Sequence, residues 1–441
     1  MKTSKVFIET FGCTFNQADS QIMAGNLIEN DFELVDSIEK ADVAIINTCY
    51  VKQPTENKVT NRIQKLRENF SDLKIIVSGC MVEIDPKKLE KIAPDVSWIG
   101  PHKLNKTTDV VKASLNGEIE RICGFSDDTK VGVAKVRFDD LIHIIQICEG
   151  CLGVCSYCCT RFARGVLNSY PIKDIVKEAK AAIEEGCVEI QLTAQDTAAF
   201  GKDTGEKLSA LIKEVANLAN NPEIVLTNDS NLSSDFRIRV GMMHPNNIGD
   251  DLENLIEAFK LPNVYKFIHL PVQSGSDKVL NDMKRFYTVS EYKYIVKRFT
   301  EEIPNITIAT DIIVGYPTEE EADFEKTAEL LRFIKPGIVH LSKYKHRKGA
   351  PSSVLDEIPH STMKRRSKYL TDIKSEITEE ENHDLLGTIQ RVIVVERGSK
   401  GGFIAKNDSY IPVVVDNVDI GIFVEVKVTE VTSTYLRGVV L

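Results

Sequence analysis

The chain has no run of about eighteen apolar residues, so it encodes no helix-length membrane span. It also lacks the apolar core of a secretory leader. Met1-Lys2-Thr3-Ser4-Lys5 runs straight into the strand-like Val6-Phe7-Ile8-Glu9. Positive charge is not in surplus: 55 Lys and Arg against 65 Asp and Glu give a net charge of −10. A basic coat for nucleic acid over the whole surface is therefore excluded, and any such contact must come from a local patch. A length of 441 residues is too great for one core and implies two to four domains. Cysteine is plentiful, with ten residues, but a long chain without a leader is not a small secreted disulfide scaffold. Free thiols in this number point to a reducing cytoplasm and no membrane association.

Five of those cysteines, Cys148, Cys151, Cys155, Cys158 and Cys159, fall within residues 148–159. Cys151, Cys155 and Cys158 have the spacing C-x3-C-x2-C, which lets one loop grip a single metal centre. Three ligands on a four-iron cluster leave one iron open to a small molecule, as an open position separates catalytic from structural zinc. Two other metal readings remain. Cys148/Cys151 and Cys155/Cys158 are C-x2-C pairs of the zinc type, although paired knuckles usually stand about a dozen residues apart. A closed cluster with Cys148 as fourth ligand is the other, although the order and missing proline depart from the ferredoxin run.

Residues 1–115 alternate strand and helix patterns, with strands expected at 5–9, 42–47, 74–78 and 96–100 and helices at 16–29, 55–69, 86–92 and 104–115. This is the pattern of a doubly wound parallel sheet, in which ligands bind beyond the carboxyl ends of the strands. Cys13, Cys49 and Cys80 each follow a strand, so the fold brings them to one edge as a candidate metal site. Gly12 and Gly79 precede two of them and permit the backbone angles of a rim turn. Cys123 and Cys187 show no such placement, and Cys187 reads as packing.

A polar connector spans 116–138, and alternation resumes over 139–381. Strands are expected at 141–147, 188–193, 237–242, 266–270, 307–314 and 338–341, each followed by a helix. Six such units form an incomplete parallel barrel with its chemistry at the strand carboxyl ends. The cysteine loop follows the first strand; Gln195-Asp196-Thr197, His244-Pro245-Asn246, Gln273-Ser274-Gly275 and Gly315-Tyr316-Pro317 follow others. His269 ends a strand and reads equally as a rim residue or a direct participant. Thr318 to Glu321 has the form of a capping box. The segment Lys343-Tyr344-Lys345-His346-Arg347-Lys348 reads as a phosphate-backbone contact. Residues 383–441 turn to five short valine-rich strands, a small all-β barrel of the oligonucleotide-binding sort. Phe403, Tyr410 and Tyr435 are candidates there for base stacking or for core packing.

The cysteine spacing, with Tyr157 just before Cys158, resembles the radical S-adenosylmethionine (SAM) signature. The whole order of parts resembles the methylthiotransferase family. The matching stretches are 10–20, Asn47-Thr48-Cys49, Arg164-Gly165, 239–243 and His269-Leu270-Pro271-Val272-Gln273-Ser274-Gly275-Ser276. Cys13-Thr14-Phe15-Asn16-Gln17-Ala18-Asp19 and Gln195-Asp196-Thr197 are most similar to the archaeal and eukaryotic branch. That resemblance implies a tRNA-modifying enzyme that adds a methylthio group to N6-threonylcarbamoyladenosine beside the anticodon. It also implies two [4Fe-4S] clusters, one on Cys151, Cys155 and Cys158 with SAM and one on Cys13, Cys49 and Cys80, and a C-terminal RNA-binding TRAM domain. An electron donor, a sulfur donor and a monomer are expected with it. Tyr157, Gln195 and Gln273 are candidates for the SAM pocket. His346-Arg347-Lys348-Gly349-Ala350-Pro351 departs from the Pro-Arg-Pro-Gly-Thr-Pro common among relatives. A ribosomal-protein aspartate methylthiotransferase and a non-catalytic iron–sulfur RNA-binding protein are the rival readings.

Overall fold

The structure, a computed structural model, describes residues 3–221, 235–398 and 401–441; the sequence places a turn at Ser399-Lys400-Gly401-Gly402 between the valine-rich strands, and it lies partly outside the described residues. The first region is a six-stranded, all-parallel sheet of β1 (Lys5–Thr10), β2 (Glu33–Leu34), β3 (Val43–Thr48), β4 (Lys74–Gly79), β5 (Ser97–Ile99) and β6 (Arg121–Ile122). Its order is β2-β1-β3-β4-β5-β6. Every residue of β3 is buried because helices cover both faces, which is why this strand reads as an unbroken apolar run. The short outer strands β2 and β6 have no periodicity to announce them and are added by tertiary pairing.

The second region begins with β7 (Ile142–Gln146), then a two-stranded hairpin, β8 (Cys148–Glu149) with β9 (Asn168–Ser169), that brackets the cysteine loop. β10 (Glu189–Thr193), β11 (Arg237–Val240), β12 (Phe267–His269), β13 (Thr307–Val314) and β14 (Ile338–Lys343) complete six parallel barrel strands. The triplets β7-β10-β11 and β12-β13-β14 are joined where Ile238 N donates to Asn263 O at 2.7 Å and Tyr265 N to Ile238 O at 3.0 Å. β7 and β14 do not pair, so the barrel is open on one side. There the helix Thr14–Ile28 of the first region lies against β7, and Gln146 Nε2 donates to Asp19 Oδ1 at 2.8 Å.

The connector is tied down by Glu178, which takes Lys135 at 2.5 Å and His143 at 2.9 Å. Burial pushes the Glu178 carboxyl up, but Lys135 and His143 outweigh it and bring it from 4.5 to about 2. A carboxyl depressed in the folded state contributes stability fully present above its unfolded pKa and lost as pH falls through the folded one. The difference in unfolding free energy between the wild type and Glu178→Gln, read by denaturant titration, should therefore be constant above about pH 5.5. It should shrink steadily from pH 4.5 towards 2, by an amount on the order of 3 kcal/mol. A pH-independent difference would contradict this assignment.

The helix expected from 319 starts at Glu321, and its capping box is Glu320 with Asp323 rather than Thr318 with Glu321. Thr318 is diverted because its hydroxyl bonds Asp282 Oδ2 at 2.5 Å. Glu319 is buried and pairs with Arg366 at 2.7 Å.

The C-terminal strands β15 (Ile389–Arg397), β16 (Phe403–Asn407), β17 (Pro412–Val415), β18 (Phe423–Val431) and β19 (Leu436–Val440) close into a barrel in the order β15-β16-β17-β19-β18. Its 406–410 turn plugs the amino-terminal end of the larger barrel. Lys406 Nζ lies 2.9 Å from Glu189 Oε2, and Asp408 Oδ1 accepts from Arg237 at 2.8 Å. Tyr410 packs edge-on against Tyr265 at 4.8 Å and tilts against Phe267 at 4.9 Å. Tyr410 is thus packing between domains, not a base-stacking platform.

Candidate active site

β1, β3 and β4 are neighbours in the sheet, so the turns at their carboxyl ends are neighbours too. Cys13 stands just before the helix Thr14–Ile28, Cys49 directly after β3, and Cys80 opens the short helix Cys80–Ile84 after β4. Gly12 has φ +123°, and a Cβ on it would meet Cys49 Cβ at 2.7 Å and Cys49 Sγ at 3.3 Å. Gly79 has φ +89°, and a Cβ there would come within 2.4 Å of Thr48 O. Both turns therefore require glycine, for angle and for space.

Cys151, Cys155 and Cys158 lie on the loop between β8 and the helix Thr160–Arg164. Gly153 N donates to Cys151 Sγ at 3.2 Å, and a Cβ on Gly153 would lie 3.2 Å from Cys151 Sγ and 3.6 Å from Cys155 Sγ. The missing side chain thus leaves room between two sulfurs. Thr160 N donates to Cys158 Sγ at 3.4 Å, and Arg285 Nη1 to Cys155 Sγ at 3.6 Å. Backbone and guanidinium donors of this kind favour sulfur in its anionic, metal-bound form. Without a metal, burial pushes the thiols of Cys49 and Cys151 up to about 12, and those of Cys80 and Cys158 also upward. Such thiols are inert as nucleophiles, and a metal replaces the proton outright. Among the described residues, only His269, Asp311 and His340 bring three ligand atoms within 4.8 Å of one another. Sulfurs that share one zinc stand closer than that, at about 3.8 Å, from a Zn–S bond near 2.3 Å in a tetrahedron. The cysteines are too widely spread for a single ion and suit a multi-iron cluster. Cys148 is buried in the apolar core and does not line the cavity described below.

All six triad cysteines line one cavity of about 1340 Å³, bounded by the sheet edge, the barrel mouth and the 343–360 segment. Its wall carries eight Lys and Arg against three Asp and Glu, a positive interior in a protein of net charge −10. Gln195 lines it and accepts from Gly150 N at 2.8 Å, so it also holds the start of the cysteine loop. Gln273, with φ +77°, lines it as well. Tyr157 is half-buried, with its hydroxyl taking Arg285 Nη1 at 3.3 Å. His269 Nε2 pairs with Asp311 Oδ2 at 2.9 Å. Burial pushes the Asp196 carboxyl up, although His244 N and Asn247 Nδ2 bond it at 2.8 and 2.6 Å.

The basic segment 343–348 spends much of its charge on acidic partners, although Lys343, Lys345 and Lys348 stay exposed. Arg347 is buried on Glu56 at 2.6 Å, Lys345 pairs with Glu357 at 2.7 Å, Lys348 with Asp85, and the Tyr344 hydroxyl donates to Ser352 Oγ at 2.8 Å. The segment clasps the N-terminal sheet to the barrel. Two residues escaped sequence reasoning. Arg285 follows no motif, and its only local sign is a left-handed backbone at Lys284 and Phe286. Arg164 was visible only as part of Arg164-Gly165. It is 1% exposed and touches Asp19 Oδ2 at 2.7 Å, Glu149 Oε1 at 2.9 Å and Asn16 Oδ1 at 2.8 Å. Asn16 in turn donates to Phe11 O at 3.0 Å and Thr48 O at 2.9 Å, just ahead of Cys13 and Cys49. One guanidinium thus ties the base of one triad to the base of the other.

Comparison with known proteins agrees with this arrangement. Residues 5–100 match the "Uncharacterized protein family UPF0004", 145–331 the "Radical SAM superfamily" and 384–441 the "TRAM domain". The first carries the Cys13 triad and the second the Cys151 triad. Radical SAM proteins bind a [4Fe-4S] cluster and SAM, and the spread of the thiols is compatible with the cluster. A solved structure of the radical SAM methyltransferase TsrM from Kitasatospora setae, with cobalamin and a [4Fe-4S] cluster bound, aligns with TM-score 0.57 at 12% identity. The alignment covers 80% of this chain and 77% of that one, and the likeness is one of fold. A protein of Methanothermobacter thermautotrophicus described as a probable threonylcarbamoyladenosine tRNA methylthiotransferase is 57% identical over 98% of both chains. The threonylcarbamoyladenosine tRNA methylthiotransferase of Xenopus laevis is 34% identical over 99% of this chain and 77% of its own. That of Homo sapiens is 33% identical over 98% and 73%. The chain therefore belongs to the radical SAM methylthiotransferase family of enzymes, in the branch of the archaeal and eukaryotic threonylcarbamoyladenosine tRNA methylthiotransferases.

Proposed function

We propose that the chain adds a methylthio group to the adenine ring of N6-threonylcarbamoyladenosine beside the anticodon of a tRNA. The observation that carries this reading is that both cysteine triads line one positively charged cavity. Cys151, Cys155 and Cys158 would hold one [4Fe-4S] cluster, and Cys13, Cys49 and Cys80 a second. When bound, the first cluster would cleave one SAM to the 5′-deoxyadenosyl radical that takes up the adenine hydrogen, and the second would hold the sulfur, which takes its methyl group from another SAM; an external electron donor and sulfur donor would replenish them. An aromatic C–H carries no acidic proton, so the titratable residues of the cavity do not remove it. What the polypeptide contributes is placement and exclusion of water. Arg164 and Asn16 keep the two loops in register. Gln195 fixes the entry to the cysteine loop, and Asp196 is spent on holding the His244–Asn247 turn.

The RNA backbone meets the cavity rim through cations that have no acidic partner. Lys52, Arg161 and Lys343 are exposed, line the cavity and make no ion pair among the described residues. Each phosphate contact removed should lower the slope of log Kd against log salt by about 0.7–0.9. Arg161→Ala and Lys343→Ala should each weaken tRNA binding and lower that slope by about that amount, whereas Lys345→Ala should leave it unchanged. Equal effects from all three would contradict this placement.

The deciding test of the reaction is tandem mass spectrometry of tRNA nucleosides and ribosomal peptides from a deletion strain. Loss of the methylthio nucleoside is expected. Unchanged tRNA with an altered ribosomal aspartate would overturn the reading, and absence of any SAM cleavage by reconstituted, reduced protein would favour a non-catalytic RNA-binding role.

A further inference from the structure

Arg239, on β11, lines the same cavity at the depth where the C-terminal domain plugs the barrel. Its guanidinium packs on two aromatic faces, 5.4 Å from the centre of Phe267 and 5.3 Å from the centre of Tyr410. The two ring centres are 4.9 Å apart, so both rings lie to one side of the guanidinium and leave its other side to the cavity. The Nε atom is buried with no hydrogen-bond partner, and the side chain makes no ion pair among the described residues. The acids of the cavity wall and of the barrel floor are already committed. Glu189 takes Lys406 at 2.9 Å and Tyr265 at 3.0 Å, Asp311 takes His269 at 2.9 Å, and Asp196 holds its turn. The buried arginines of the cavity are paired or bonded: Arg164 with Asp19, Arg347 with Glu56, Arg285 with Pro271 O at 2.6 Å.

A half-buried guanidinium whose buried Nε finds no acceptor is left short of a hydrogen bond, and its planar fork matches a carboxylate in two-point contact. We propose that Arg239 is the receptor for a carboxylate: the one carried by the amino acid appended to the adenine N6 of the substrate. The proposal rests on the tRNA reading above and names the residue that selects its substrate. The cation sits inside the cavity, away from the rim where phosphates bind, so it distinguishes a carboxylated appendage from a neutral one. The aromatic shelf also explains why the C-terminal domain reaches under the barrel. Tyr410 completes the seat of Arg239, so the domain that is the RNA-binding module by fold also shapes the floor of the pocket.

SAM carries a carboxylate too, so the test must separate the two sources. The probes are an anticodon stem-loop bearing threonylcarbamoyladenosine and the same stem-loop with the threonyl carboxylate as its methyl ester. The reconstituted full-length enzyme should prefer the acid over the ester in kcat/KM by roughly 10- to 100-fold, the range for a charge-assisted bond to a carboxylate. In Arg239→Gln that ratio should collapse to about one, with SAM affinity retained. A ratio is independent of how much of the variant is folded, and Arg239→Lys should restore part of it. A wild type that does not discriminate acid from ester, or an Arg239→Gln that loses SAM affinity while keeping the ratio, overturns the proposal and leaves the tRNA reading standing. A wild type that acts on neither stem-loop but modifies a ribosomal peptide overturns both.

Discussion

Replacing Cys13, Cys49 or Cys80 by alanine should abolish methylthiolation while leaving the abortive cleavage of SAM to 5′-deoxyadenosine. Replacing Cys151, Cys155 or Cys158 should abolish both. The asymmetry follows from the division of labour proposed for the two loops: one triad generates the radical, the other carries the sulfur. Iron content should track it. The anaerobically reconstituted wild type should hold about eight irons per chain, and a variant of either triad about four. Cys13, Cys151, Cys155 and Cys158 sit on rim loops, so their loss should leave the apo fold near the wild type in thermal midpoint, whereas Cys49 and Cys80 are buried and their loss should lower it slightly. A wild type that holds only about four irons, or a Cys49→Ala variant that retains full methylthiolation, would remove the two-centre interpretation.

Arg164→Gln should be the most damaging single substitution away from the cysteines. Arg164 and Lys130 share two buried carboxylates, Asp19 and Glu149, with Lys130 Nζ at 2.8 and 2.9 Å from them. Burial alone would raise the Asp19 carboxyl, yet Arg164 and Lys130 hold it below the usual carboxylate range. Removing one partner of a buried pair strands the others, at about 3–5 kcal/mol. Because the network spans the sheet, the connector and the barrel, the loss falls on their docking rather than on either core. Thermal unfolding should separate into two transitions, and limited proteolysis should open the 116–138 connector. Arg164→Lys should be intermediate, since an ammonium keeps the charge but not the fork that reaches Asn16. Asp19→Asn should recover part of the loss in the Arg164→Gln background. A single transition at the wild-type temperature for Arg164→Gln would show that the network is not what holds the regions together. Iron content supplies an independent readout, because Asn16 lies one hydrogen bond from the turns that carry Cys13 and Cys49.

By itself the sequence determined the family and the fold class, and it singled out the six cysteines proposed as cluster ligands. The C-x3-C-x2-C spacing, the three cysteines that each follow a strand, and the alternation of periods over both α/β regions are local signals. Cβ geometry and strand pleat act over a few residues, so such signals survive in a linear reading. Only the tertiary structure decided how charge is used. Arg347 looked like an RNA contact from its neighbours, yet it is neutralised by Glu56, 291 positions away. Asn16 and Arg164 are 148 positions apart and bond across the domain boundary. Tyr410 read equally as a stacking platform or as packing, and it is a wedge between two barrels. Arg239 stood in a strand-like run and is a half-buried cation of the cavity wall whose buried Nε finds no partner. A charged side chain's role depends on which opposite charge shares its low-dielectric surroundings, and that pairing is made by chain folding over hundreds of residues rather than by spacing.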